Sequence, residues 1–118
     1  RGFGFIERVD RQALPDFEAA QRAGGAGGFT VRTSGRAPDL FVVKYIEPLE
    51  GNRKALGFDL GSDAIRRESL DLAAMTGEPT LTPRLVLLQD EQRGAGLVYL
   101  LPVHARGTGT GPGRLVGF

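Results

Sequence analysis

Apolar positions along the chain fall in short runs separated by glycines, prolines and charged turns. Residues 2–9, "GFGFIERV", mix aromatic and β-branched residues and predict a strand. Asp10 can cap the helix that follows, expected over 13–22 with Pro15 in its first turn and Phe17 as its core anchor. "AGGAGG" at 23–28 ends that helix. "FTVRT" at 29–33 places Phe29, Val31 and Thr33 on one side and predicts a half-buried strand. The longest strand candidate is "LFVVKYIEPL", 40–49, with Pro48 marking its end, and "ALGFDL", 55–60, is the next.

A second helix has clear end signals. Ser62 or Asp63 can cap its start, Gly77 suits a left-handed end, and Pro79 prevents continuation. Ile65, Ser69, Leu72 and Ala73 share a side at helical spacing and are the expected core face, with Met75 at its border. Arg67 and Asp71 lie opposite and are expected in solvent. "RLVLLQ" (84–89) and "LVYLLPV" (97–103) flank the charged turn "DEQRGAG" and predict a hairpin. "ARGTGTGPG" (105–113) reads as a loop and "RLVGF" (114–118) as a last strand. Strands cluster instead of alternating strictly with helices, which predicts an α+β fold with a mostly antiparallel sheet.

Composition narrows the function. The 118 residues allow one modest core, and a net charge of +1 with scattered arginines argues against nucleic-acid binding. The chain has no Cys, so disulfides and thiolate metal sites are excluded. No run approaches the ~18 apolar residues of a membrane span. The first residue is Arg1, and both "RGFGFIERV" and "GRLVGF" read as cuts through a longer protein, so an excised domain is expected.

Candidate chemistry is sparse. "GTGTGPG" lacks the Lys-Ser/Thr of a phosphate loop, and "AGGAGG" follows a helix, the wrong order for a dinucleotide fingerprint. His104, the only histidine, sits beside Arg106 just past a strand and reads as a loop residue. No hydroxyl nucleophile has a partner base, so catalysis, a metal and a cofactor are not expected. Asp59 stands out, because it closes an apolar run just before a Gly-Ser-Asp turn and a helix. It can hold a ligand, or it can accept backbone N–H groups near the helix start.

Four stretches in order, "GFGFIERVDRQALPDFEAAQR", "FVVKYIEPLEGNRKALGFDLGS", "IRRESLDLAAMTGEPTLT" and "LLPV", resemble the CHASE domain. This is the extracytoplasmic sensory module of membrane histidine kinases and diguanylate cyclases, with plant cytokinin receptors its best-known carriers. Phe17 and Glu18 match an aromatic and acidic pair that closes a helix segment in the family. The resemblance implies PAS-like subdomains, each an antiparallel sheet with flanking helices. This chain would be a fragment of a larger sensor domain, covering mainly the membrane-proximal half over 29–118.

The resemblance also implies a site. "GFDL" puts Asp59 where the family's receptor Asp bonds an adenine ring, and "PTLTP" puts Leu81 where a backbone group contacts the base. Val43, Tyr45, Phe58, Leu85, Leu87 and Tyr99 are the apolar residues expected to sandwich a flat ligand. An adenine-like molecule fits this chemistry. The long loop at 105–113 and the charged turn with Arg93 depart from the pattern, so cytokinin itself is not assumed. The implied parent is membrane-anchored, with this domain periplasmic or extracellular, and self-association would run through segments outside this chain. Two rivals remain: an interaction or dimerisation module without a small ligand, and a small nucleotide-handling enzyme with an anion site near Asp63 and Ala64.

Overall fold

The computed structural model describes residues 3–25, 28–82, 85–86, 95–96, 99–105 and 115–118. In chain order its elements are β1 (Phe3–Asp10), α1 (Leu14–Ala23), β2 (Asp39–Glu47), α2 (Ala64–Thr76), β3 (Thr80–Leu81), β4 (Leu85–Val86), β5 (Ala95–Gly96), β6 (Tyr99–Leu100), β7 (Val103–His104) and β8 (Leu115–Gly117). Short 3₁₀ turns occupy Arg11–Ala13, Arg53–Ala55 and Leu60–Ser62. The fold is α+β, and among the described residues every pairing between these strands is antiparallel; the isolated Arg32–Phe58 bridge is parallel.

β1 and β2 form the long ribbon at the centre, running from Phe3 opposite Glu47 to Asp10 opposite Asp39. The sheet order is β2-β1-β8-β7, so the C-terminal strand lies inside the sheet. Ile6 and Phe118 exchange both backbone bonds at 2.8 Å. β2 is buried on both faces over its first half, where the run Leu40-Phe41-Val42-Val43 is almost wholly shielded, and opens to solvent toward Glu47. Phe41 and Val43 pack with Leu70 and Ala73 of α2 and with Leu60, Leu100 and Phe118. Leu40 and Val42 point the other way, to Val9, Phe29 and Phe17 of α1. Each buried aliphatic or aromatic side chain of this kind contributes about 1.5–3 kcal/mol.

The expected elements hold with four corrections. First, Asp10 makes no capping bond; its 3₁₀ turn precedes α1, which begins at Leu14. Second, 29–33 and 55–60 are not strands, and each contributes isolated bridges only: Arg32 to Phe58 and Asp59 to Val42. The backbone of 29–31 is taken up by side chains of α1 instead. Arg22 donates to Phe29 O at 3.0 Å, Glu18 accepts from Val31 N at 3.0 Å, and the Phe17 and Phe29 rings stack at 5.8 Å. Third, residues 84, 87–89 and 97–98 lie outside the described residues, and the described part of 97–103, residues 99–103, does not pair as one strand with 85–86. Pro102 interrupts it, so Tyr99–Leu100 pairs with Thr80–Leu81 while Val103–His104 joins the main sheet. β4 pairs with Ala95–Gly96, inside the expected turn, whose residues 90–94 lie outside the described residues, as does the loop from 106 on.

The fourth correction concerns the face of α2. Its cap and stop are as expected: Asp63 accepts from Arg66 N, and Gly77 takes φ 71°. The buried face is Arg66, Ser69, Leu70 and Ala73, while Ile65 and Leu72 are 46% exposed. Leu70 and Ala73 on this face pack in one cluster with Phe41 and Val43 of β2. The rotation also brings Arg67, expected in solvent, onto Asp39.

Candidate functional site

The junction after 57 closes the open edge of β2. Val43 N donates to Phe58 O at 3.0 Å and Gly57 N donates to Val43 O at 2.8 Å. Gly57 is required here: its φ is 81°, and a Cβ would stand 2.2 Å from Thr30 O. Two residues on, the Asp59 carboxylate takes the place of a neighbouring strand's carbonyl. Its Oδ1 accepts from Phe41 N and Gly61 N, both at 2.9 Å, and its Oδ2 accepts from Thr33 Oγ1 at 2.8 Å. Asp59 is 2% exposed, and all three of these bonds are internal to the fold.

A charge array binds α2 to the same strand. Arg8 Nε donates to Asp39 Oδ2 at 2.8 Å, and Arg67 donates to Asp39 O at 3.0 Å and to Asp39 Oδ1 at 2.5 Å. Arg67 also reaches Asp71 at 3.3 Å. The Phe41 ring lies beside both guanidiniums, 4.8 Å from Arg67 and 5.8 Å from Arg8. Burial raises the Asp39 carboxyl, but hydrogen bonds and charge from Arg67 and Arg8 outweigh it and hold it below its ordinary value.

A separate apolar strip faces outward. Leu81 of β3 stands directly opposite Tyr99 of β6. Both are exposed, 55% and 65%, while Leu100 beside Tyr99 is buried; further along the chain Leu101 and Val103 are exposed as well, Val103 in the main sheet. The CHASE domain family model matches residues 1–118.

The chain belongs to the CHASE domain family. No curated protein matches it. CHASE domains are extracytoplasmic sensory domains of signalling proteins. Among the described residues no helix is long and apolar enough to cross a membrane. Among the same residues, no cluster of three His, Asp or Glu is arranged to hold a metal ion.

The eight residues expected to meet a ligand are distributed unevenly over this CHASE domain. Leu81 and Tyr99 are brought together as an exposed cross-strand pair. Val43, Phe58 and Asp59 are also brought together, but inside the β2 edge: Val43 is buried, and Phe58 is half-buried with the Arg32 guanidinium 5.9 Å from its ring. Tyr45 lies opposite Phe5 of β1, exposed, with its hydroxyl donating to Glu47 at 3.2 Å. Leu85 pairs with Gly96 in the β4–β5 ribbon. Leu87 lies outside the described residues. The helix start proposed as an anion site is occupied by a side chain of its own, since Asp63 Oδ2 accepts from Arg66 N at 3.0 Å.

Sequence reasoning missed Asp39, Arg8 and Arg67, and also the partners of Leu81 and Tyr99. A signal for the strip was present in "YLLPV", where Tyr99, Leu101 and Val103 alternate with Leu100 and Pro102. Nothing in the spacing of Arg8, Asp39 and Arg67 reveals their meeting, which depends on the β1–β2 register and the rotation of α2.

Proposed function

We propose that this CHASE domain is the small-molecule-sensing part of a membrane-bound histidine kinase or diguanylate cyclase, exposed to the periplasm or cell exterior. In this reading the chain is the membrane-proximal, PAS-like half of a larger sensor, mainly over 29–118. A flat, largely apolar ligand, adenine derivatives included, rests on Leu81, Tyr99, Leu101 and Val103. The observation that carries this reading is the exposed Leu81–Tyr99 pair, because contiguous apolar surface on a small domain marks a binding face. Val43 and Phe58 pack in the same core cluster as Leu100, the buried neighbour of Tyr99, and Asp59 helps close the β2 edge. Binding favours one of two arrangements of the parent protein, and the ligand's differential affinity sets how far the equilibrium moves.

The test is thermal unfolding against a panel of small metabolites that includes adenine derivatives, with Tyr99→Ala beside the wild type. A ligand at 100 times its dissociation constant adds about 2.7 kcal/mol, a rise on the order of 10 °C. The rise is expected in the wild type and not in Tyr99→Ala, whose own melting stays close to wild type because the side chain is exposed. A second reading, an interaction module without a small ligand, is favoured by one observation: Val43 and Phe58 fill the core instead of lining a cavity. A cooperative melt that nothing in the panel moves supports that second reading and sinks the first.

A further inference from the structure

The outward face of α2 is a feature that the readings above leave unused. A groove of about 580 Å³ runs along it, lined by Ala64, Arg67, Glu68, Asp71, Leu72 and Met75. Met75 is 78% exposed, and Leu72 and Ile65 are 46% exposed. Ile65, Glu68, Leu72 and Met75 follow one another at steps of three, four and three, so they form one stripe opposite the buried face. The helix has 13 residues, about 20 Å of length.

The charges on this stripe are not balanced. Arg67 is committed to Asp39 and Asp71, so its charge is neutralised on the inner flank of the groove. Glu68, between Ile65 and Leu72, has no hydrogen-bond or ion-pair partner among the described residues. An apolar stripe with one unpaired carboxylate at its middle suits an opposite pattern: apolar residues at i, i+3 or i+4, and i+7, with a Lys or Arg to meet Glu68. A second copy of α2 fits less well. Packed antiparallel about Leu70, it would set each Glu68 against the other copy's Leu72, burying two unpaired carboxylates.

We propose that this face of α2 docks a basic amphipathic helix, with Leu72 and Met75 as the apolar contacts and Glu68 as the charge that selects it. The inference stands whichever reading of the Leu81–Tyr99 strip holds, because the two surfaces share no residue.

The test uses the full 118-residue chain. It has no Cys, so Met75→Cys gives a single site for a fluorophore or for cross-linking. The probes are two helical peptides with identical leucine stripes, one with Lys and one with Glu at the position facing Glu68. The Lys peptide is expected to bind at least tenfold tighter than the Glu peptide and to cross-link to Met75→Cys. Glu68→Lys should invert the preference, and Leu72→Asp should remove binding of both. Glu68 and Leu72 are exposed, so both variants should keep the wild-type circular dichroism and melting. Equal binding of the two peptides, an unchanged preference in Glu68→Lys, or binding of neither peptide would overturn the proposal. Dimerisation of the free chain that Leu72→Asp abolishes would also overturn it, and would give the face to a second copy.

Discussion

Replacing Asp59 by alanine removes three acceptor bonds at once, and they are not equivalent. The Phe41 amide belongs to a residue with 0% exposure, so no water takes the place of the carboxylate oxygen. Leaving such a donor unpaired destabilises by about 2 kcal/mol. Gly61 is half-buried in a 3₁₀ turn and Thr33 is exposed, so their groups rehydrate, each losing about 0.5 kcal/mol. The sum is about 3 kcal/mol, which in a domain of this size lowers the melting temperature by roughly 12 °C. Asparagine separates geometry from charge. Its Oδ1 can still accept from Phe41 and Gly61, and its amide can donate to a Thr33 hydroxyl turned to accept. Asp59→Asn should therefore lose only about 1 kcal/mol. The chain has no Trp, so urea unfolding followed by far-UV circular dichroism is the assay. An Asp59→Ala protein within about 1 kcal/mol of wild type would refute the edge-closing account, and so would equal losses for Ala and Asn. If the Ala variant keeps its stability and loses a ligand-induced rise in melting, Asp59 contacts ligand instead.

Three further predictions follow from the same frame. Asp39 titrates below its ordinary value when folded, so its contribution is complete above about pH 4 and is lost as pH falls through the folded value; the gap in urea midpoint between wild type and Asp39→Asn should be wide at pH 7 and narrow progressively as the pH is taken down through the acid range, and a constant gap would remove the ion pairs from the account. Gly57→Ala should destabilise by about 2 kcal/mol or more in the same assay, because both the φ of 81° and the approach of Thr30 O oppose a Cβ. In hydrogen exchange, the Phe41 and Val43 amides should open only with global unfolding, whereas the two-residue β3–β6 pairing should open locally and faster; equal protection would mean that the strip is part of the rigid core.

What could be read from the sequence was whatever depends on neighbours along the chain. The cap at Asp63, the stop at Gly77, the Phe17 anchor and the long strand ending at Pro48 all have local causes, and all are present. The errors share a different cause. Residues 29–33 have a strand pattern, yet Arg22 and Glu18 of α1 take their backbone groups before a strand partner can. The α2 face was misread because periodicity ranks Ile65 and Leu72 as core without knowing that Asp39 waits for Arg67. For the candidate site, the residues could be named from the sequence but their arrangement could not. Leu81 and Tyr99 meet, but their pairing depends on Pro102 dividing "LVYLLPV" between two sheets.

The three parts of the domain combine into one mechanical argument. The first half of β2 is buried on both faces, its open edge is closed by Gly57, Phe58 and Asp59, and its first residue holds α2 through Arg67. The 3₁₀ turn at Leu60–Ser62 carries this frame into α2, with Asp59 and Asp63 bonded at its two ends. Only three residues, 77–79, separate α2 from β3, so the Leu81–Tyr99 pair is mounted on the end of this rigid unit and held by two residue pairings. Under the proposed function, a ligand on that strip would bear on a two-residue pairing mounted at the end of α2, and its binding would order β3 and β6 relative to α2, which presents Glu68, Leu72 and Met75 on its outer side.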